Sequence, residues 1–540
     1  MIKISNIRMK PGYTWEELAD SLQKKYRLSE EDVKTVHLLK ESIDARKKPE
    51  IVMNLSVSVL LKDEARFLSR YKKDAVPYEE KRIPFITCKD EQNKHPIIIG
   101  AGPAGLFCAY YLAEYGYEPI LLERGKPADE RKKDVEAFWE TGTLNPESNV
   151  LFGEGGAGTF SDGKLNCSNK DPYGYQKQVF QTFFDNGAEA NVLYDAKPHI
   201  GTDALIGIVT NMRKHIMANG GCVYFEKQVT ELLFRDATGS EENNADRIVS
   251  GVKTKDGDVF HGPFVVLATG HSARDTFRML SDRDVLMEAK PFAVGYRVQH
   301  RQEDVSCMQY GERYMDVLPP ADYKAVAHAE NGRNVFSFCM CPGGYVVNAS
   351  SEEDCLCVNG MSYQKRDGEN ANAAIVMSVD PSDYPGDSPL SGIDFQRTIE
   401  KKAFQAANGN VPIQTFGDYK ENKASEASSF SRIRPMIKGA YAPSNLRGIL
   451  PEELEEAFLD GMAEFAKKLP VFADDEAILA GIEARTSSPV RILRNEDYQA
   501  IHIRNFFPCG EGAGYAGGIT SAAVDGLKIA CKIMESQVGI

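Results

Sequence analysis

Apolar and polar positions alternate in different ways along the chain, and the N-terminal part already carries two patterns. Alternating apolar residues predict strands, at residues 2–7, 34–44 and 51–61. Between the first two runs, Thr14 stands three residues before Glu17, the spacing of a helix-capping pair. A polar, charged stretch from 62 to 93 follows. This pattern predicts a small N-terminal α+β domain with its connector, over residues 1–92.

The next apolar segment has the pattern of a βαβ unit. Residues 95–123 read HPIIIGAGPAGLFCAYYLAEYGYEPILLE. Its periodicity predicts a strand, a glycine turn, a helix and a second strand, with the strands at 97–99 and 119–122 and the helix from Pro103 to about Tyr115. Proline suits the first helical position, because the N–H that it lacks has no partner there.

Each glycine of this turn has its own physical reason. Gly100 permits a tight turn, Gly102 lets the backbone approach a pyrophosphate, and Gly105 lets the helix pack closely on the strand. The positive end of the helix, which begins at Pro103, then faces the pyrophosphate. Glu123 ends the second strand, where it can accept hydrogen bonds from ribose hydroxyls. The segment predicts a dinucleotide site without choosing between FAD and NAD.

The later pattern predicts how the remaining chain is organised. Short strands joined by turn signals predict a β-meander over 222–268, interrupted by the polar loop DATGSEENNADR. Residues 289–478 mix strand and helix patterns without another nucleotide-binding motif, which predicts an inserted α+β domain. The dinucleotide-binding domain is then formed by residues 93–288 and 479–540.

Composition and charge narrow the class of protein. The 540 residues are 42% apolar and 26% charged, as in multi-domain globular proteins. The net charge of −14 argues against nucleic acid or an anionic membrane as a partner. No long apolar run or signal-peptide pattern occurs, and several of the eleven cysteines lie in apolar runs, as buried reduced thiols do. We therefore expect a soluble, cytoplasmic protein.

Two other stretches satisfy GxGxxG by letter, at 153–158 and 512–517. The first is not followed by a clear helix and strand, and the second is followed by too few residues for a nucleotide-binding half. We therefore predict that both are walls of the same cofactor site. The same reasoning places further residues on these walls, namely Gly156, Lys164, Ala268, Gly510, Glu511 and Gly518.

Four strings give these blocks a family resemblance: FGEGGAGTFSDGKL, NGMSYQKRDGENAN, ARTSSPVRILR and PCGEGAGYAGGITSAAVDG. With the βαβ segment, they resemble the uncharacterised bacterial FAD-dependent family of "NAD(FAD)-utilising dehydrogenases", in the glutathione-reductase-like superfamily. The resemblance spans most of the chain. It implies an α/β fold, with a Rossmann-like FAD-binding domain (βαβ plus β-meander), an inserted α+β substrate domain and the small N-terminal α+β domain.

The resemblance also implies which residues bind the cofactor. By that resemblance FAD is lined by Gly100, Gly102, Ala104, Gly105, Glu123, Arg124, Val229, Thr269, Gly270, Glu511 and Ile519. Where the wider superfamily commonly has Asp in its C-terminal motif, this chain has Glu511. We expect this carboxylate to bond a ribityl hydroxyl.

The cysteines also indicate which kinds of chemistry the protein can carry out. Disulfide reductases of this superfamily use a CxxC pair beside the flavin, and this chain has none. Two CxC pairs occur instead, Cys339/Cys341 and Cys355/Cys357. Four thiolates can bind zinc or an iron–sulfur cluster, but residues two apart in a buried strand also share a face. We favour the buried strands and expect no metal.

Three residues are candidates for the chemistry itself. Arg297 lies on the strand that enters the inserted domain, and Arg485 lies where the chain returns to the nucleotide-binding domain. Cationic forks at such a junction can clamp a carboxylate or phosphate over the flavin ring. Each arginine has an alternative structural role, bonding loop carbonyls or pairing with Glu483. Tyr345, after a double glycine, is a candidate acid.

The leading hypothesis is an FAD-dependent oxidoreductase, a dehydrogenase or reductase that passes a hydride between flavin and a small-molecule substrate. Diffusible NAD(P)H or a redox partner protein is its candidate reductant. The alternative is a flavin-binding, redox-responsive interaction module without turnover of its own. The sequence identifies neither the substrate nor the oligomeric state.

Overall fold

The computed structural model describes residues 1–166, 171–235 and 247–536. Most of the predicted polar loop, at 236–246, lies outside these residues. Within them, no helix combines the length and the apolar character that crossing a bilayer requires.

The N-terminal residues form an antiparallel sheet with two helices. The elements are β1 (Ile2–Met9), α1 (Trp15–Tyr26), β2 (Val33–Asp44), β3 (Val52–Leu61), α2 (Glu64–Arg70) and β4 (Ala75–Pro77). The strand order is β2-β3-β1-β4. The predicted capping pair of α1 is confirmed, because Thr14 and Glu17 each accept a hydrogen bond from the other's backbone N–H.

Part of the stretch that we predicted to be a connector is structured. Strand β4 pairs with β1, where Ala75 lies opposite Ile4, and Phe67 of α2 is buried in the same core. One buried aromatic residue in a short charged helix leaves no apolar periodicity to detect. The N-terminal sheet therefore continues to Pro77.

The dinucleotide-binding segment contributes seven strands and five helices to the described chain. They are β5 (Ile97–Ile99), α3 (Pro103–Glu114), β6 (Ile120–Leu122), α4 (Ala128–Thr141), α5 (Tyr175–Asp185), α6 (Thr202–Ala218), β7 (Cys222–Tyr224), β8 (Val229–Arg235), β9 (Arg247–Thr254), β10 (Val259–His261), β11 (Val265–Leu267) and α7 (Arg274–Ser281).

The following residues build a second large sheet and then return to the first. Up to Glu483 the elements are β12 (Met287–Ala289), β13 (Phe292–Arg301), α8 (Gln302–Tyr310), β14 (Val326–His328), β15 (Asn334–Cys341), β16 (Tyr345–Asn348), β17 (Val358–Met361), β18 (Asn370–Val379), α9 (Ser391–Ala406), β19 (Val411–Thr415), α10 (Phe416–Lys420), β20 (Ile437–Lys438), β21 (Tyr441–Pro443), α11 (Glu452–Ala466) and β22 (Ile478–Glu483). The last elements are β23 (Val490–Ile492), β24 (Ile503–Arg504), β25 (Phe506–Pro508) and α12 (Ile519–Glu535).

A five-stranded parallel sheet confirms the predicted Rossmann-like fold. Its order is β25-β11-β5-β6-β7, so β25, from the C-terminal part of the predicted domain, joins this sheet beside β11. Helix α3 packs close to the turn and to α12 at two glycines. A Cβ on Gly105 would lie 1.8 Å from the Gly100 carbonyl oxygen, and one on Gly526 would lie 2.0 Å from the Ala104 carbonyl oxygen.

The predicted meander is present as β8, β9 and β10. Strand β9 pairs antiparallel with both of its neighbours in the chain, and β24 joins it in parallel from the C-terminal part. The first predicted strand of this region, β7, belongs instead to the parallel sheet, where it pairs with β6. The meander leads into β11 and so returns the chain to the glycine turn.

A seven-stranded sheet forms the second large layer, in the order β14-β15-β18-β13-β22-β19-β21. Its central strands are buried on both faces: β18 is buried at nine of ten positions and β13 at nine of ten. Helix α11 packs on β14, β15 and β18, and helix α9 packs near β19 and β22. Phe338, Cys339 and Glu483 of this sheet line a cavity together with the glycine turns of the parallel sheet.

Candidate functional site

A cavity of about 360 Å³ lies between the two large sheets. One wall comes from the parallel sheet and includes the turn after β5, the glycine-rich segment at 153–163, the residues that follow β11 and the start of α12. The opposite wall comes from the seven-stranded sheet and its neighbours, through Phe338, Cys339, Asn359, Glu483 and Arg485. The cavity therefore sits where the carboxyl ends of parallel strands meet a second unit, a common place for ligands in α/β folds.

Two helices begin at the first wall without side-chain caps. Gly102 is the N-cap of α3 and Gly518 is the N-cap of α12, and neither helix has a side-chain hydrogen bond to its first N–H groups. Such helix ends carry unpaired donors and a partial positive charge. Two anion-attracting helix ends therefore point into one cavity.

The glycines at this wall leave space that side chains would take. A Cβ on Gly270, Gly517 or Gly518 would meet nothing within 4 Å, and one on Gly102 would meet only the Gly156 Cα atom, at 3.9 Å. Backbone therefore reaches the cavity surface at these points. Open space beside uncapped helix ends fits the pyrophosphate and sugars of a dinucleotide such as FAD.

Glu123 joins the glycine turns of this wall. Its Oε2 accepts from Ala101 N (2.7 Å), and its Oε1 accepts from Gly125 N (2.9 Å) and Gly153 N (3.0 Å). An ionised carboxylate has about four acceptor positions, so three backbone donors leave one for a ribose hydroxyl. The carboxylate thus holds the cradle in shape, a role that the sequence did not reveal.

The structure brings nearly all of the predicted cofactor-binding residues to this cavity. Its lining includes Gly100, Gly102, Pro103, Ala104, Glu123, Arg124, Gly156, Lys164, Val229, Ala268, Thr269, Gly270, Glu511, Gly518 and Ile519. The two other predicted residues lie behind the wall. Gly105 packs against the Gly100 carbonyl, and the Gly510 N–H donates to Asp525 Oδ2 (2.7 Å).

On the opposite wall, Arg485 is held by a buried carboxylate. Its Nε and Nη2 donate to the two Glu400 oxygens at 2.7 and 2.8 Å, and its Nη1 donates to Ser351 Oγ at 2.7 Å. Arg274 also donates to both Glu400 oxygens, at 2.9 and 2.8 Å. Burial raises the pKa of Glu400, but the two guanidinium groups outweigh it and lower the pKa to about 2.

Arg297 lies behind this wall and pairs with Glu483, the structural alternative named above. Its Nε and Nη2 donate to Glu483 at 2.6 and 3.1 Å, its Nη1 donates to the Cys339 carbonyl and Asn372, and its Nη2 also donates to Asn359. All five N–H donors are thereby used. In place of the substrate clamp that we expected, Arg297 positions the residues around Cys339.

Tyr345 also lies away from the cavity lining. It is half-buried on β16, with its ring against Tyr363 at 5.8 Å and beneath Lys438 Nζ at 4.6 Å. These contacts give the ring a packing role. The double glycine before it forms a turn rather than an approach to the cavity.

Sequence reasoning missed two residues on the cavity wall. His271 directly follows the small residues after β11, and its Nε2 lies 3.4 Å from Glu511 Oε1. Cys339 sits on β15 with a positive φ of 43°, at a bulge in the pairing with β18. The CxC spacing was its signal, but regular strand alternation does not predict a bulge.

The second CxC pair does not form the predicted buried strand. Cys355 and Cys357 precede β17, and Cys357 donates its S–H to the Ala349 carbonyl at 3.1 Å. Among the described residues, no group of three or more His, Cys, Asp or Glu side chains is arranged to hold a metal ion. The four thiols are thus split between two separate settings.

Comparisons with known proteins find matches to family models and to solved structures. Residues 291–486 match the family described as "FAD-dependent protein, C-terminal domain-like", residues 98–127 match an NAD(P)-binding Rossmann-like domain, and residues 1–60 match a domain of unknown function. Similar solved structures include the tetracycline destructase Tet(51), at 12% identity, 82% coverage of both chains and a TM-score of 0.32. Another is the halogenase PltM, at 10% identity over 83% of this chain and 70% of that one, with a TM-score of 0.36.

Sequence relatives give the family. A 54-residue stretch is 46% identical to the beta subunit of an NADPH-Fe(3+) oxidoreductase of Geobacter sulfurreducens, covering 10% of this chain and 8% of that protein. An uncharacterized protein of Clostridium beijerinckii is 43% identical over 540 residues, covering 99% of this chain and 98% of the relative. The chain therefore belongs to the same family as the C. beijerinckii protein, a family of FAD-dependent proteins.

Proposed function

We propose that this protein is an FAD-dependent oxidoreductase that passes a hydride between flavin and a small-molecule substrate. The observation that carries the proposal is the two-sided cavity. One wall offers two uncapped helix N-termini and bare glycine backbone, and the other offers polar and thiol side chains from the seven-stranded sheet. The first surface suits the phosphates and sugars of a cofactor, and the second suits a substrate.

FAD would supply two-electron hydride chemistry when bound. The residues of the chain divide the remaining tasks. The first N–H groups of α3 and α12 attract anionic groups, and Glu123 and Glu511 accept hydrogen bonds from sugar hydroxyls. Lys164, with its side chain 23% exposed at the cavity, adds a positive charge.

Substrate reduction or oxidation would take place against the second wall. The buried Arg485–Glu400–Arg274 group fixes this wall next to the cavity. Glu352 pairs with Arg274 and Arg397, so the cluster holds three guanidinium groups and two carboxylates and is net positive. That charge favours an anionic or electron-rich substrate. We propose diffusible NAD(P)H as the reductant, because the sequence holds one complete βαβ nucleotide-binding unit and FAD would occupy it.

The decisive experiment combines spectroscopy with rapid kinetics. The purified protein should carry the absorbance of oxidised flavin and release FAD on denaturation, and NADH or NADPH should reduce it anaerobically. A protein that stays colourless after incubation with FAD contradicts the cofactor. Bound flavin that neither nicotinamide reduces, while a redox dye does, contradicts NAD(P)H as the reductant and favours another donor.

A further inference from the structure

We propose that Cys339 and Cys341 form a redox-active dithiol that exchanges two electrons with flavin bound in the cavity, with a small disulfide as the external substrate. This inference deepens the proposed function and rests on it, because flavin is the second redox group. The pair has CxC spacing in place of the CxxC of known flavin-linked disulfide reductases.

A bulge in β15 brings Cys339 to the cavity. Phe338 pairs with Ala374 and Cys341 pairs with Asn372, so three steps along β15 match two steps along β18. The extra residue leaves Cys339 with a φ of 43°, a conformation that is uncommon for residues other than glycine. Bulges of this kind re-aim side chains and occur often beside active sites. Cys339 lines the cavity as a result.

The two cysteine residues are in contact. The Cys341 S–H donates to the Cys339 carbonyl oxygen at 3.2 Å. Cys341 is fully buried while Cys339 is half-buried at the cavity. An accessible thiol with a buried thiol beside it is the arrangement that an attacking and a resolving cysteine require.

The surroundings favour a thiolate at Cys339. The hydrogen bond from Cys341, together with the positive charges of Arg297 and Lys164, lowers the pKa of Cys339. Burial and, to a smaller extent, Asp162 oppose this effect without reversing it, and the Asp162 carboxylate is paired with Arg366. The thiolate is the nucleophilic form of cysteine. Arg297 also fixes the bulge, because its Nη1 donates to the Cys339 carbonyl at 2.8 Å.

Cys357 provides an internal contrast on the same wall. It also lines the cavity, but burial raises its pKa to about 12, so it stays protonated at neutral pH. Its S–H donates to the Ala349 carbonyl at 3.1 Å, outside the CxC pair to which it belongs. Position at the cavity therefore does not by itself make a thiol reactive here, because burial keeps Cys357 protonated whereas the pKa of Cys339 is lowered.

The proposed reaction balances as two thiol–disulfide exchanges and one electron transfer. The Cys339 thiolate attacks the substrate disulfide, whose S–S bond breaks and releases one thiol that takes up a proton. Cys341 then loses its proton and attacks the Cys339 sulfur, which releases the second substrate thiol and leaves a Cys339–Cys341 disulfide. The Cys339–Cys341 disulfide would then take up two electrons and a proton from flavin held in the cavity and return to one thiolate and one thiol, and NAD(P)H would supply the electrons to the flavin.

The first test counts thiols in the flavin-loaded protein. Reduced protein is freed of reductant without oxygen, exposed to a small excess of oxidised glutathione, alkylated and analysed by peptide mass spectrometry. We expect two thiols per chain to be lost, both on the peptide that contains Cys339 and Cys341. Glutathione attached to the exposed Cys222 or Cys307, with both residues of the pair still free, would overturn the proposal.

Single substitutions separate the two roles. Cys341→Ser should trap glutathione on Cys339, because no resolving thiol remains, and Cys339→Ser should form neither the trapped adduct nor the internal disulfide. Cys222→Ser removes an exposed thiol on β7 and should keep the two-thiol loss. Equal glutathione capture by Cys339→Ser and Cys341→Ser contradicts the assignment, and circular dichroism checks that each variant is folded. The wild-type thiol count stands even if a variant fails to fold.

A second measurement tests the electron transfer apart from cofactor binding. NADPH or NADH is added without oxygen to the disulfide form, and the recovered thiols are counted. Recovery in yellow protein and none in protein stripped of flavin supports the proposal. Flavin that is bound and reduced while the disulfide persists overturns it, whereas a colourless protein overturns the proposed function instead.

Discussion

Gly102 marks a point where a side chain would enter the cavity without disturbing the protein. Its φ is −75°, which any residue adopts, and a Cβ there meets only Gly156 Cα at an ordinary 3.9 Å. We therefore expect Gly102→Ala to fold with wild-type stability but to lose most of its FAD, because the methyl group occupies the pyrophosphate position. Flavin content per chain and thermal unfolding of the apoprotein measure the two effects separately.

Two other glycines serve as controls for this prediction. Gly207→Ala, in helix α6, adds a methyl group that meets nothing within 4 Å, so FAD content should stay unchanged. Gly105→Ala places its methyl group 1.8 Å from the Gly100 carbonyl oxygen and should destabilise the fold itself. If Gly102→Ala keeps full FAD occupancy, the pyrophosphate does not bind at this turn.

The surroundings of His300 lead to a prediction about the stability of the fold. His300 is 1% exposed on β13, and neither ring nitrogen has a hydrogen-bond partner among the described residues. A buried polar group without a partner costs about 1–3 kcal/mol. His300→Leu should therefore raise the free energy of unfolding, whereas His328→Leu, at an exposed position of β14, should change it little. Urea unfolding at neutral pH gives both values.

The same histidine sets a pH dependence. Burial lowers the pKa of His300 to about 4, below the value of about 6.5 expected in the unfolded chain. Between these values the unfolded chain binds a proton that the folded chain does not, so stability falls as the pH decreases from about 6.5 to 4. The loss attributable to this residue should disappear in His300→Leu. A pH profile identical to that of the wild type would show that His300 does not titrate in this way.

At the scale of elements, a buried carboxylate helps to fix helix α9 to the cavity wall. Glu400 is buried between Arg274 of α7 and Arg485 after β22, so it ties three segments together. Removing one partner of a buried ion pair costs about 3–5 kcal/mol, because it leaves the opposite charge uncompensated. We expect Glu400→Ala to lower the free energy of unfolding by an amount in this range.

Asp394 provides the matched control on the same helix. Its side chain is 71% exposed, and its ion pairs with Arg397 and Arg278 span 3.7 and 4.0 Å. Exposed pairs of this kind contribute about 0–1 kcal/mol, so Asp394→Ala should cost little. Equal losses in the two variants, measured by urea unfolding at pH 7, would mean that the buried pairs do not hold the wall.

Elements differ in how far the sequence predicts them. The turn after β5 was predictable because all of its determinants lie within one short stretch, from Ile97 to Glu123. The bulge at Cys339 was not, because it depends on pairing with β18 and on Arg297, residues that are distant in the sequence. Arg297 and Glu483 are 186 residues apart in the sequence. No local pattern predicts whether such an arginine binds a substrate or forms a structural ion pair.

The same distinction explains the cofactor-binding residues. Glycines such as Gly100 and Gly518 allow backbone conformations that other residues rarely adopt, and a short stretch of sequence is enough to recognise such positions. Glu123 was predicted as a ribose ligand from its position after a strand. Its carboxylate also accepts hydrogen bonds from three backbone N–H groups, and these belong to turns that meet only in the folded protein. Long-range partners of a residue therefore remain beyond a single sequence, even where its location is predictable.

At the scale of the whole molecule, the cavity has two walls that are built by different sheets. The parallel sheet and its turns form the first wall, through residues such as Ile99 and Ala522. Phe338, Cys339 and the residues that follow β22 form the second. The N-terminal sheet, β1 to β4, contributes no residue to the lining among the described residues. A ligand that fills the cavity should therefore stabilise both large sheets and leave the N-terminal sheet unaffected.

Hydrogen exchange of backbone amides tests this prediction directly. FAD added at about 100 times its dissociation constant to flavin-free protein should stabilise the folded state by about 2.7 kcal/mol, with the largest slowing of exchange at the turns around Gly102, Gly156 and Gly518. Slowing should extend to β15 around Cys339, because FAD that reaches the second wall restricts the opening of that wall. The amides of β1 and β3 are the internal control and should exchange at the same rate with and without FAD. Protection confined to the glycine turns would place the flavin ring away from the second wall, and the proposed contact with Cys339 would then fail even though FAD binds.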